Sequence, residues 1–174
     1  MKKQIAITSG ISIVVCMTFF LIMSMSGTRS VYVINAEVYN NFEMKKEMEK
    51  HMITTQQQRQ SIIDSMSLRL ELRKQSWQSS GMKDTAERNT LFRLQQEVYV
   101  KQREFQEDNE RMLQNYDEQI WKQLNQYAQD FGKEKGYSIV FGATGDGGIM
   151  YADQAINVTE ELTAYVNHKY RGAK

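Results

Sequence analysis

The 174-residue chain has no proline, one cysteine and two histidines. Without proline, no position forces a helix to kink or stop, so helices can run as far as their side chains allow. The lone cysteine, Cys16, excludes an intrachain disulfide. It stands inside the one long apolar run, where a small buried side chain is its ordinary role. His51 and His168 have no Cys or His partner at metal-ligand spacing, and His51 has Glu47 one turn back as an ordinary helix-face pair. No Ser/His/Asp or Cys/His arrangement can be assembled, so neither catalysis nor a metal or cofactor is expected. Neither sign of charge dominates, since 22 basic and 21 acidic residues give a formal net charge of +1. Three basic residues, Lys2, Lys3 and Arg29, fall in the first thirty positions, which hold no acid; the remainder carries nineteen against twenty-one. A nucleic-acid binder would show a basic stripe to meet phosphates. None is present.

What the chain does have is helical periodicity over about a hundred residues. Apolar residues recur at Phe42, Met48, Met52, Ile62, Ile63, Met66, Leu70 and Trp77, and again from Leu91 and Leu94 through Phe105, Met112, Ile120, Leu124 and Phe131. Steps of three, four and seven describe a helix with one buried stripe. The spacing predicts a helical hairpin over 36–131 that bends near Gln78-Ser79-Ser80-Gly81, with Asp84 capping the returning helix and Gly132 stopping it. Arms this long cannot lie inside a globule of this size, so they should project. The middle of the outgoing arm, Thr54 to Gln60, is nearly all polar and should be solvated or line a wet space.

Short β-branched and aromatic stretches bracket the hairpin. Strands are predicted at 30–35, 137–141 and 149–152, the last two forming a β-hairpin about the glycine-rich turn Gly142 to Gly148. That turn imitates a phosphate loop, but a strand follows it where such a loop needs a helix N-terminus. Asn157 or Thr159 should cap a last helix over 159–170; Asn157-Val158-Thr159 fits a glycosylation pattern, but the cap is the better reading. The fold class is therefore α+β, a coiled-coil-like tentacle on a small β body. Three short strands make a marginal sheet in water. Several copies should pool them, through Val31, Val33, Ile139, Phe141, Ile149 and Tyr151.

Residues 1–26 form a separate segment ahead of the working part, 27–174. Met1-Lys2-Lys3 precedes an uncharged, mostly apolar run over 5–25, and the lysines fit a cytoplasmic flank. The run is long enough for an uncleaved transmembrane anchor. Ser24-Met25-Ser26 could instead end a cleaved signal peptide. Either way the rest is exported.

Both ends of the exported part carry a family likeness. Tyr137-Ser138-Ile139-Val140-Phe141, then Gly147-Gly148-Ile149-Met150-Tyr151-Ala152-Asp153 and Ile156-Asn157-Val158-Thr159-Glu160-Glu161-Leu162, resemble the C-terminal signature of the Skp/OmpH family of periplasmic chaperones. Val31-Tyr32-Val33-Ile34-Asn35 resembles that family's first strand, which also runs straight into a long helix. The resemblance implies a homotrimer with a pooled β-barrel body, three helical hairpins around a cavity, and ATP-independent holding of unfolded outer-membrane proteins there. This chain departs from the family's best-known members in being near neutral rather than strongly basic, in its possible anchor, and in an apparent insertion over 142–145.

Two functions follow as expectations. One is a periplasmic holdase chaperone, in which Met44, Met48 and Met52, an i, i+4, i+8 row of adaptable thioethers, either pack on the return arm or touch client segments. The other is an anchored structural or assembly protein of an envelope complex, binding a defined partner through its arms.

Overall fold

Residues 29–173 are described, in a computed structural model. The apolar run over 5–25, with Cys16 and the choice between anchor and cleaved signal, lies outside the described residues. In chain order the elements are β1 (Ser30–Ile34), α1 (Asn35–Asn41), α2 (Glu43–Ser79), α3 (Thr85–Lys135), β2 (Ile139–Ala143), a one-turn 3-10 helix (Gln154–Ile156) and α4 (Thr159–Gly172).

The helical hairpin is present, and its turn is built as the residues at the bend dictate. Gly81 (φ 84°) and Met82 (φ 57°) both adopt left-handed backbone there. Asp84 then caps α3, its carboxylate accepting from the amides of Ala86 (2.8 Å) and Glu87 (3.3 Å). The Trp77 indole N–H donates to the Asp84 carbonyl at 3.1 Å, tying the last turn of α2 to the start of α3. With 37 and 51 residues, α2 and α3 are about 56 Å and about 77 Å long.

Three features differ from the sequence expectation. First, the outgoing helix is interrupted at Phe42, whose backbone is extended (φ −72°, ψ 125°). Second, α3 does not stop at Gly132. It runs to Lys135 and ends at Gly136, which is left-handed (φ 70°). Gly132 is instead buried beneath the strand, where an added Cβ would lie 3.5 Å from the Val140 side chain. A glycine that reads as a stop signal thus serves close packing of helix on strand. Third, among the described residues the sheet has two strands, β1 and β2, and they are parallel. The β-hairpin expected over 137–152 is absent.

The register pairs Ser30 with Ile139 and Ile34 with Ala143, the whole helical hairpin serving as the crossover between the two strands. After β2 the chain turns through Gly145 (φ 81°) and Gly147 (φ 97°), with Asp146 accepting from the Thr144 hydroxyl (2.5 Å) and the Gly148 amide (3.2 Å). It then passes through Ile149–Ala152 without strand pairing. Met150 and Tyr151 there are 88% and 85% exposed. The chain returns on the far side of β1, where Asn157 bridges Tyr32 and the Val158 amide donates to the Tyr32 carbonyl at 3.0 Å. Among the described residues β1 is therefore flanked on both sides, and β2 keeps one open edge.

The core lies where the arms meet this small sheet. Val31 and Val33 of β1, Val38 of α1, Phe42, Ile120, Leu124 and Phe131 of α3, and Val158, Leu162 and Val166 form one buried cluster. The alternation of β1 sends Val31 and Val33 inward together. Val158, not Asn157 or Thr159, stands at the cap position of α4 and makes no side-chain cap bond; Asn157 accepts from the Thr159 amide at 3.0 Å, while the buried Thr159 hydroxyl accepts from the Ile34 amide at 2.9 Å. That second bond welds the end of β1 to the start of α4.

Candidate functional site: the arm faces and the free strand edge

Along the arms, burial is uneven. Near the root the two helices share aromatic and apolar packing: Tyr39 stacks on Trp121 (5.0 Å between centroids) and its hydroxyl donates to Asp117 at 2.6 Å. Burial, and then the hydrogen bond to the Asp117 carboxylate, push the Tyr39 phenol up to about 12. Farther out, Tyr116 and His51 meet at 2.7 Å across the arms. Beyond them Arg59 reaches over Phe105 (5.3 Å to the centroid) and hydrogen-bonds Asn109, with Asp108 at 3.5 Å. Past that level only Ile63 and Leu91 are buried.

The polar middle of the outgoing arm does border a wet space. An open cleft of about 450 Å³ lies between the arms, lined by Gln56, Arg59, Gln60, Gln102, Phe105 and Gln106 among others. Large apolar side chains are left in solvent on both arms: Ile53, Ile62, Leu68 and Leu72 on α2, and Phe92 (64% exposed), Tyr99 and Leu113 on α3. Phe92, Tyr99 and Leu113 are 64%, 61% and 54% exposed although they fall at helical spacings from the buried Ile120, so the stripe on α3 is covered only in places. The distal hairpin, residues 68–93, carries six basic residues and three acidic ones. The rest of the described chain carries thirteen basic and eighteen acidic residues.

The methionine row is at the arm root. Met44 and Met48 are half-buried against the core. Met48 and Met52 border a narrow notch with Leu113, Tyr116 and Ile120, of about 70 Å³. The residues expected at a subunit boundary divide into two groups. Val31 and Val33 are inside this chain's own core, whereas Ile139 and Phe141 on β2 are each 47% exposed and Tyr151 more so, with Ile149 half-buried. The exposed set therefore sits on the strand with the open edge and on the unpaired segment that follows it.

Sequence reasoning missed the contacts that link distant stretches. Tyr116 with His51 and Arg59 with Phe105 join positions about fifty or more residues apart, and Arg59 was the one charged residue in an otherwise uncharged polar run. His168 is exposed on α4. The glycine run after β2 leads into the extended stretch described above, not into a helix N-terminus. Among the described residues no helix is long and apolar enough to cross a membrane.

The OmpH-like outer membrane protein family model matches residues 29–166, from the residue before β1 into α4. The chain belongs to the OmpH-like family. Its fold is also that of a solved structure from Caulobacter crescentus CB15, described as an outer membrane chaperone (OmpH-like): TM-score 0.68, 15% identity, 83% of this chain and 86% of that one covered. No curated protein sequence matches the chain. In this OmpH-like chain the arms and the small sheet carry the exposed apolar side chains.

Proposed function

We propose that the protein is an ATP-independent holdase chaperone that keeps unfolded outer-membrane proteins from aggregating in the periplasm of a Gram-negative bacterium. The observation that carries this reading is the set of large apolar side chains left in solvent along both arms, Phe92, Tyr99, Leu68 and Leu72 foremost. Exposed apolar surface of this kind marks interaction sites. Spread over long helices rather than gathered in a pocket, it suits a partner that is itself extended and variable. The OmpH-like description of the Caulobacter protein supports the same role.

In this reading three copies pool their sheets through the open edge of β2, with Ile139, Phe141, Ile149 and Tyr151 buried between copies. Three arms then surround a cavity. Each contact with the client is weak, and binding is held by many at once. Met48 and Met52 at the arm root offer adaptable contacts at the floor of that space. The basic distal hairpins draw in acidic client segments at low salt, although the near-neutral whole limits that contribution.

A second reading, an inner-membrane-anchored assembly protein with one defined envelope partner, is favoured by the apolar run over 5–25 and the near-neutral charge. Both are tested by diluting an unfolded outer-membrane barrel protein from urea and following light scattering. The holdase reading predicts that stoichiometric protein suppresses scattering. Unchanged scattering, with capture of a single stable partner from envelope extracts, would establish the second reading instead.

A further inference from the structure

The break at Phe42 creates a problem that the chain solves from the opposite end of its sequence. An extended residue between two helices leaves the first amides of the following helix and the last carbonyls of the preceding one without intrahelical partners. Two of these orphans are the Glu43 N–H and the Asn41 C=O. Both are satisfied by one side chain, Asn167 of α4. Its Oδ1 accepts from the Glu43 amide at 2.8 Å, and its Nδ2 donates to the Asn41 carbonyl at 3.0 Å. The partners fix the amide's orientation, because a backbone N–H can only donate and a carbonyl can only accept.

Neighbouring groups on α4 address the same joint. The Tyr170 ring meets Phe42 edge-on (5.6 Å between centroids), and its hydroxyl donates to Glu47 at 2.9 Å. Arg171 pairs with Glu43 at 3.3 Å. On the other side of α4, Lys169 binds Glu134 at 2.9 Å and Lys135 approaches Glu161 at 3.6 Å, so the helix straddles the roots of both arms. Side-chain caps normally come from the residue just before a helix. Here that residue is Phe42, which has no capping group, and no side-chain cap comes from it.

We infer that Asn167 is a positioning residue that caps α2 in trans and thereby fixes the direction in which the outgoing arm leaves the body. With the cap in place, α1 and α2 keep a set angle across Phe42. When α4 lifts, both orphaned groups lose their partner together and the root of α2 is free to reorient. The consequence for function, that α4 sets the opening between arms, rests on the holdase reading. The capping role itself does not.

The test uses the full chain and two readouts that need no client. Amide exchange at Glu43 reports the cap directly. Spin labels at exposed Lys50 on α2 and exposed Glu160 on α4, with Cys16 replaced by serine and labelled chain diluted in unlabelled, report the angle at the root. Asn167→Ala should raise Glu43 exchange about tenfold and broaden the Lys50–Glu160 distance distribution. Asn167→Asp keeps the acceptor, and its charge suits a helix N-terminus, so it should restore slow exchange at Glu43. It loses the donor to Asn41, so the distance distribution should stay broader than in the parent chain. If the alanine chain does not fold, Asn167→Ser, too short to span both groups, carries the comparison. Unchanged exchange and distances in the cap-removing variant, or aspartate and the cap-removing variant behaving alike at Glu43, would overturn the assignment. Light scattering on the same variants separates the two ideas, because a failed holdase assay in the parent chain leaves the exchange result intact.

Discussion

Phe42 is where the described fold is most sensitive to a single residue. It is fully buried, lies edge-on to both Tyr127 and Tyr170, and occupies the one non-helical position between α1 and α2. Phe42→Ala should cost about 3–5 kcal/mol, the range for emptying a buried aromatic site, measured by urea unfolding. Its place on an apolar stripe was legible in the sequence. The break it sits at was not, because no proline or glycine marks it and the compensating Asn167 lies 124 positions from Glu43.

Tyr39 makes a second prediction, in pH. The fold holds its phenol neutral up to about 12, through burial first and the Asp117 hydrogen bond second. In the unfolded chain a tyrosine ionises near 10. Between those values the unfolded state releases a proton that the folded state keeps, so stability falls as pH rises through the window and is intact below it. Burial pushes Tyr165 in the same direction, which is why the test is a difference. Tyr39→Phe should lose less stability than the parent between pH 10 and pH 12, read from urea midpoints.

For the elements, the contrast is between a packed root and a thinly joined distal hairpin. Ile120, Leu124 and Phe131 tie α3 to the core, while beyond Arg59 the arms share only Ile63 and Leu91 as buried side chains, with Arg73–Glu87 (2.6 Å) and the Trp77–Asp84 bond as polar links. Few buried apolar contacts mean low local stability. Hydrogen exchange should therefore be faster over residues 66–98 than over residues 112–131. Arg73→Ala should change global stability by less than about 1 kcal/mol, as for other exposed ion pairs. Much at this scale was readable beforehand: the hairpin, the turn at Gly81 and the Asp84 cap all follow from local residue chemistry. The strands were harder. Ile149 to Ala152 has β-forming residues, but whether it pairs depends on how the preceding glycine turn places it against the free edge of β2, which local sequence does not encode, and here it stays unpaired. The parallel pairing of β1 with β2 depends on how the long hairpin returns, which no short window encodes.

For the whole molecule, the exposed pieces belong together. β2 has an open edge, Ile139 and Phe141 are half in solvent, and the segment after it holds Met150 and Tyr151 away from the chain's own core. A two-stranded sheet with those features is a poor end state for an isolated chain. It becomes a reasonable one if copies bury the same patch against each other. The proposed cavity depends on that pooling, since one arm alone encloses nothing. Placing a charge in the boundary is informative: Phe141→Asp should reduce the assembly to single chains and abolish suppression of client aggregation, whereas Leu68→Asp on the arm should leave the assembly whole and weaken suppression.

The most direct measurement is the solution mass of the full protein by sedimentation equilibrium at micromolar concentration, with the detergent contribution matched out if it is extracted from membranes. Pooling of the sheets predicts a mass near three times 20.3 kDa. A folded species of one chain's mass, persisting at that concentration, would contradict it.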